Sequence, residues 1–119
     1  MATLEAKNLG SPDETRQIPK GKIELIQLGG VTAARAVFEP GWKWSECVKP
    51  IAKTESCQAG HTTYVLSGRM HVQMDDGTTR VIGPGDVAVI PPGHDAWIVG
   101  DEPCVALDFT GMAEYAKPQ

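Results

Sequence analysis

The hydrophobic and polar positions alternate over short stretches, and glycine or proline interrupts them at close intervals. KIELIQL places Ile23, Leu25 and Gln27 on one face and Glu24, Ile26 and Leu28 on the other, and Gly29-Gly30 closes it. VTAARAVF follows and stops at Pro40-Gly41. A strand rich in Thr, Tyr and Val runs from His61 to Leu66 and ends at Ser67-Gly68. RMHVQM sets Met70, Val72 and Met74 against His71 and Gln73, the period of a half-buried strand. Asp75-Asp76-Gly77 reads as a hairpin turn before TTRVI, because Asp-Gly tolerates the positive φ that such turns need. After the turn GPGD, VAVIP is apolar enough to be expected buried on both faces. Pro91-Pro92-Gly93 turns the chain again, and HDAWIVG and CVALDF complete the strands.

Residues 22–110 thus predict about eight strands separated by turns, the pattern of an all-β sandwich or barrel. Residues 1–20 read as an extended N-terminal arm broken by Ser11-Pro12-Asp13 and Pro19, and residues 21–119 as one domain. WKWSECVKPIAKTESC, residues 42–57, shows no clean period and is expected to be a loop with a short strand near its end. GMAEYAKPQ is read as one helical turn or a tail.

Composition narrows the function. A chain of 119 residues with 41% hydrophobic and 22% charged residues is long enough for one packed core. The net charge of −4 argues against a nucleic-acid partner, which calls for a basic face. No apolar run approaches the roughly 18 residues that span a bilayer, so no membrane partner is expected. The first sixteen residues are polar and lack the apolar stretch of a secretory signal. Three cysteines make a disulfide framework a poor reading, and a reducing cytoplasm is the expected location.

The phrase HTTYVLSGRMHV followed by GPGDVAVIPPGHDAW resembles the cupin superfamily, with Gly85, Asp86, Pro91 and Gly93 matching its second motif in kind and spacing. The resemblance covers roughly residues 36–109. It implies a double-stranded β-helix, or jelly-roll barrel, pairing as a homodimer, and a divalent metal held by three histidines and a glutamate. Carried over by position, those ligands fall on Glu55, Cys57, His61 and Ala96, and no residue type is kept. Two of the four positions nevertheless hold good ligands, Cys57 and His61.

His94 lies two residues before Ala96, so on a strand it shares that face. On one straight strand Cys57 and His61 would stand roughly 13 Å apart. To share a metal they need a turn at Gln58-Ala59-Gly60, where Gly60 is free to take a positive φ. Cys47 is a candidate fourth ligand from the loop. Cys47, Cys57, His61 and His94 would suit tetrahedral zinc, since soft thiolates and imidazoles favour zinc over magnesium or calcium. Asp95 is a candidate to orient a histidine ring. His71 is expected to face away from the core, Cys104 to be core, and Trp42, Trp44 and Trp97 to be packing residues, with Trp42 or Trp44 able to line a barrel mouth.

Three functions compete. One is a metal-binding cupin that acts as an enzyme on a small molecule through an open coordination position, or takes a structural or sensing role if Cys47 closes that position. Another is a metal-independent cupin that binds a small ligand or regulates. The third is a Cys57–His61 thiol dyad, for which no orienting third residue stands out.

Overall fold

The alternating segments form nine antiparallel strands in the computed structural model, which describes residues 3–110, 112 and 115. They are β1 (Glu14–Ile18), β2 (Gly21–Leu28), β3 (Val31–Phe38), β4 (His61–Ser67), β5 (Arg69–Met74), β6 (Thr79–Ile82), β7 (Val87–Ile90), β8 (His94–Val99) and β9 (Cys104–Asp108). Six make one sheet in the order β1-β2-β3-β9-β4-β7, and three make a second in the order β6-β5-β8. The inward positions of both sheets interdigitate. Ile23, Leu25, Ala34, Ala36 and Val65 from the larger sheet share one core with Met70, Val72, Ile82 and Ile98 from the smaller. This is the all-β jelly-roll architecture expected from the sequence.

The turns fall where glycine lets the backbone enter the left-handed region. Gly77 (φ 92°) makes the β5–β6 hairpin. Gly68 (φ 76°) joins β4 to β5 against the backbone of the segment before β9. A Cβ there would lie 2.3 Å from the Pro103 carbonyl oxygen, so no other residue fits without a shift of the chain.

Three expectations need correction. Part of the arm at residues 1–20 is strand β1, which pairs with β2 from Glu14↔Leu25 to Ile18↔Gly21. Arg16 and Ile18 turn inward from it. Strand β7 is not buried on both faces: Val87 and Val89 are 69% and 76% exposed. It is the edge of the six-stranded sheet, and of its residues Ala88 and Ile90 meet the core.

The stretch from 42 to 57 holds two single helical turns, α1 (Trp44–Cys47) and α2 (Lys49–Ala52). Pro50 sits in the first turn of α2, where a missing N–H costs nothing, and Lys53 ends it in the left-handed conformation. Both ends of the stretch are tied to β8. The Ile98 N–H donates to the Trp42 carbonyl at 3.0 Å, and Cys57 makes a bridge with His94. That bridge is the short pairing expected near the end of the stretch. Of the C-terminal GMAEYAKPQ, only Met112 and Tyr115 are among the described residues, so its reading as a turn or tail lies outside them. No helix among the described residues is long and apolar enough to cross a membrane.

Candidate metal centre

Pairing fixes the three donors before any side chain is considered. The Cys57 N–H donates to the His94 carbonyl at 2.7 Å, and the Gly93 N–H donates to the Cys57 carbonyl at 2.7 Å. Residues opposite each other on paired segments project to one face, so Cys57 and His94 both point into the barrel. His61 opens β4 in the facing sheet, and its inward position is set by the same alternation that buries Thr63 and Val65.

Chain reversal at residues 58–60 brings Cys57 Sγ to 3.9 Å from His61 Nε2. The reversal does not use a positive φ at Gly60. One ligand atom from each of Cys57, His61 and His94 lies within 4.8 Å of the others, and all three residues are buried. The His61 and His94 rings meet edge-on, with centroids 5.3 Å apart.

Each imidazole is held by its far nitrogen. His61 Nδ1 donates to Asp108 Oδ2 at 2.6 Å. His94 Nδ1 donates to the Pro91 carbonyl at 2.8 Å. Both rings therefore turn Nε2 toward the cluster, the tautomer and orientation that metal-ligating histidines adopt. Asp108 is itself fixed: Thr63 Oγ1 donates to Oδ2 at 3.3 Å and the Thr110 N–H donates to Oδ1 at 2.8 Å.

Electrostatics complete the preparation. Burial pushes the Cys57 thiol up, but hydrogen bonds with His61 and His94 outweigh it and bring its pKa from 9.0 down to about 6. Burial pulls His61 down, but the Asp108 hydrogen bond, followed by that with Cys57, raises its pKa from 6.5 to about 9. Near neutral pH, without metal, both shifts favour a thiolate on Cys57 and a protonated ring on His61. Burial, joined by the charges of Cys57 and Asp108, keeps the Tyr115 phenol protonated well above its usual range. The Tyr115 ring meets His61 edge-on at 5.5 Å.

The donors fit a transition metal. Tetrahedral zinc with a Zn–S bond of about 2.3 Å and a Zn–N bond of about 2.05 Å separates sulfur and nitrogen by about 3.6 Å. The observed 3.9 Å needs only a small adjustment. A thiolate and two imidazoles leave one tetrahedral position open.

That cluster borders a largely apolar cavity of about 40 Å³, walled by Phe38, Trp42, Trp44, Met70, Ala96 and Tyr115 among others. One water requires roughly 10–15 Å³ on the same measure. Trp42 and Trp44 are each 2% exposed, and their Nε1–H groups have no acceptor among the described residues. A buried donor left unpaired costs about 1–3 kcal/mol.

The other sequence candidates lie elsewhere. Cys47 is buried on α1 within the core and is not among the donors that converge. Its helical turn, where a loop was expected, sets that position. Glu55 has a 97% exposed side chain that pairs with Lys49 at 3.1 Å. Ala96 is a wall of the cavity, inward like His94. Asp95 does not orient a histidine. Its Oδ1 accepts from the Ser45 and Ala96 N–H groups at 3.1 and 2.8 Å, because it lies on the opposite face of β8.

His71 faces outward and stacks on Trp97 with centroids 4.3 Å apart. Cys104 is fully buried, and burial pushes its thiol up to about 11. Asp108 is the functional residue the sequence reading missed. Its signal was present: Cys104, Ala106 and Asp108 take the inward positions of CVALDF, and a carboxylate there needs a partner.

The structure is thus a two-sheet β-barrel with a buried Cys/His cluster whose two histidines line its cavity. The Cupin domain profile matches residues 49–110, and the chain belongs to that family. The fold is similar to that of Lactobacillus farciminis oxalate decarboxylase in its formate complex, at 22% identity and TM-score 0.61, covering 86% of this chain and 32% of that one. This chain therefore spans about a third of the decarboxylase's length. A Rhizobium leguminosarum protein of unknown function is similar at 20% identity and TM-score 0.61, covering 99% of this chain and 100% of that one. The polyketide cyclase RemF of Streptomyces resistomycificus is similar at 16% identity and TM-score 0.64, covering 91% and 79%. No curated protein matches.

Proposed function

We propose that this cupin binds one transition metal, zinc by preference, through Cys57, His61 and His94, and acts on a small molecule in the adjoining cavity. The observation that carries the reading is the convergence of three donor atoms within 4.8 Å, with the far nitrogen of each histidine already hydrogen-bonded. A bound metal supplies Lewis acidity at its open position. The protein's own contribution is to hold the donors, keep Cys57 deprotonated near neutral pH, and exclude water with Phe38, Trp42 and Trp44. Cys57, His61 and His94 leave the site open; Cys47 is no part of the set.

Metal analysis of tag-free protein tests this. One metal per chain is expected, with a cobalt(II)–thiolate absorption band on substitution. His94→Ala should weaken binding strongly, and a Cys57→Ser, His61→Ala double variant should lose it. Tight binding that survives in the double variant refutes the ligand set. A protein without metal affinity leaves the metal-independent, ligand-binding cupin in its place.

The same reading takes the chain as a homodimer that docks through the outer face of the six-stranded sheet. Tyr64, Leu66, Val87 and Val89 support it, because they expose apolar surface on neighbouring strands, with Tyr64 directly opposite Val87.

A further inference from the structure

The β5–β6 hairpin reaches past its own turn to the donor cluster. The turn is complete without the Asp75 side chain. The Gly77 N–H donates to the Met74 carbonyl at 2.9 Å, the Met74 N–H to the Thr78 carbonyl at 2.8 Å, and the Thr78 N–H to Asp76 Oδ1 at 2.9 Å. Asp75 bonds to two other segments. Its N–H donates to the Gly93 carbonyl at 2.9 Å, and its Oδ2 accepts from Ser56 Oγ at 2.9 Å. Gly93 precedes His94, and Ser56 precedes Cys57. One residue thus grips the chain immediately before two of the three donors.

Both sides of the grip are fixed. An ionised carboxylate only accepts, so the Ser56 hydroxyl proton points at Asp75, and its oxygen accepts from Gln58 Nε2 at 3.0 Å. Thr54 Oγ1 and Gln58 Nε2 donate to the Ser56 carbonyl at 2.8 and 3.3 Å. On the other side Gly93 has a φ of 93°, and a Cβ there would stand 2.9 Å from Asp75 Oδ2. The carboxylate takes the space that a side chain at 93 would need. The two gripped segments are also bonded to each other, through the Cys57 and Gly93 N–H groups. Asp75 therefore closes a three-sided frame around the roots of Cys57 and His94. We propose that Asp75 is a positioning residue of the metal centre, holding Cys57 and His94 in register through Ser56 and Gly93. This rests on the reading of Cys57, His61 and His94 as the ligand set.

The test compares Asp75→Ala, Ser56→Ala, their double variant and Asp75→Asn in the full chain, with Asp76→Ala as a control that disturbs the same turn. Chelator competition gives zinc affinity, and absorption gives the cobalt(II)–thiolate band. Asp75→Ala and Ser56→Ala should each weaken zinc binding about tenfold, the measure of one hydrogen bond, and shift the cobalt band. The double variant should bind no more weakly than the weaker single variant, because both remove one link. Asp75→Asn keeps an acceptor oxygen for Ser56 and should restore most of the affinity. Asp76→Ala should lower thermal stability and leave zinc affinity and the cobalt band unchanged. The ¹H–¹⁵N signals of the His94 ring, recorded without metal, should move in Asp75→Ala and stay in place in Asp76→Ala. Ser56→Ala lies outside the turn and carries the same expectations where Asp75→Ala does not fold. Zinc affinity within about twofold of the parent with an unmoved cobalt band, or an equal loss in Asp76→Ala, overturns the proposal and leaves the ligand set intact. A parent protein that binds no metal overturns the ligand set. In that protein, ring signals that move in Asp75→Ala alone keep Asp75 as the residue that positions His94, and unmoved signals overturn that as well.

Discussion

Replacing Asp108 by asparagine would remove one charge and almost no volume from a residue that is 2% exposed. The carboxylate lies 2.6 Å from His61 Nδ1 and is the leading influence that raises His61 against the downward pull of burial. The neutral amide can still accept a hydrogen bond but no longer favours an imidazolium. The His61 pKa should therefore fall from about 9 back toward or below its ordinary 6.5.

The sign of the stability effect follows. A histidine with a raised pKa stabilises the folded state fully below pH 6.5, and that contribution disappears as pH rises through about 9. The gap between the two values corresponds to about 3 kcal/mol, which Asp108 shares with Cys57. Urea denaturation of metal-free Asp108→Asn should show a loss of about 1–2 kcal/mol near pH 5.5 that shrinks near pH 9.5. Zinc affinity, measured by chelator competition, should fall about 10–100-fold, as for other partners that orient a ligating histidine. A variant with zinc affinity within about twofold of the parent, and an equal stability loss at both pH values, would refute the orienting role.

Metal uptake should release about one proton per zinc near pH 7.5, from His61, and more below pH 6, where Cys57 is protonated too; calorimetry in buffers of different ionisation enthalpy counts them, and release of no proton near pH 7.5 contradicts the charge state of the pair. Gly68→Ala should destabilise the fold by about 3 kcal/mol, because its Cβ would stand 2.3 Å from the Pro103 oxygen at a φ of 76°. Thermal denaturation should show it as a drop of roughly 10 °C, and a drop under about 3 °C would refute the contact. Light scattering should give twice the 12.7 kDa chain mass, and Val89→Lys should return it to one; a parent protein that scatters as a single chain at micromolar concentration counts against the dimer.

Period-two alternation and glycine turns made most of the barrel readable. VTAARAVF became β3 over its full length, and the shared face of His94 and Ala96 followed from spacing alone. What was not readable depended on partners distant in sequence. ETRQI has no apolar period: one of its two inward residues is Arg16, which pairs with Glu14 beside it and also donates to carbonyls near the C-terminus. The helical turns of α1 and α2 are too short to show a period, so the place of Cys47 was hidden. Asp108 pairs with a histidine 47 residues earlier, and only the β4–β9 pairing puts the two on one face. Asp95 is on the opposite face of β8 from His94, as alternation alone shows, whereas finding Asp108 takes the strand order, which local pattern does not carry.

Arg16 gives the cavity an unexpected dependence. Its guanidinium Nη1 donates to the carbonyls of Met112, at 2.9 Å, and Tyr115, at 2.5 Å. Met112 and Tyr115 belong to the cavity wall and lie beyond β9, outside the described strands. Arg16 comes from β1, at the opposite end of the large sheet's strand order from β7. Edge strands open locally at lower free energy than central ones. A substitution at Arg16, nearly a hundred residues away in sequence from Tyr115, should therefore be felt in the cavity wall. A screen for altered ligand preference should randomise position 16 alongside the residues that touch the ligand.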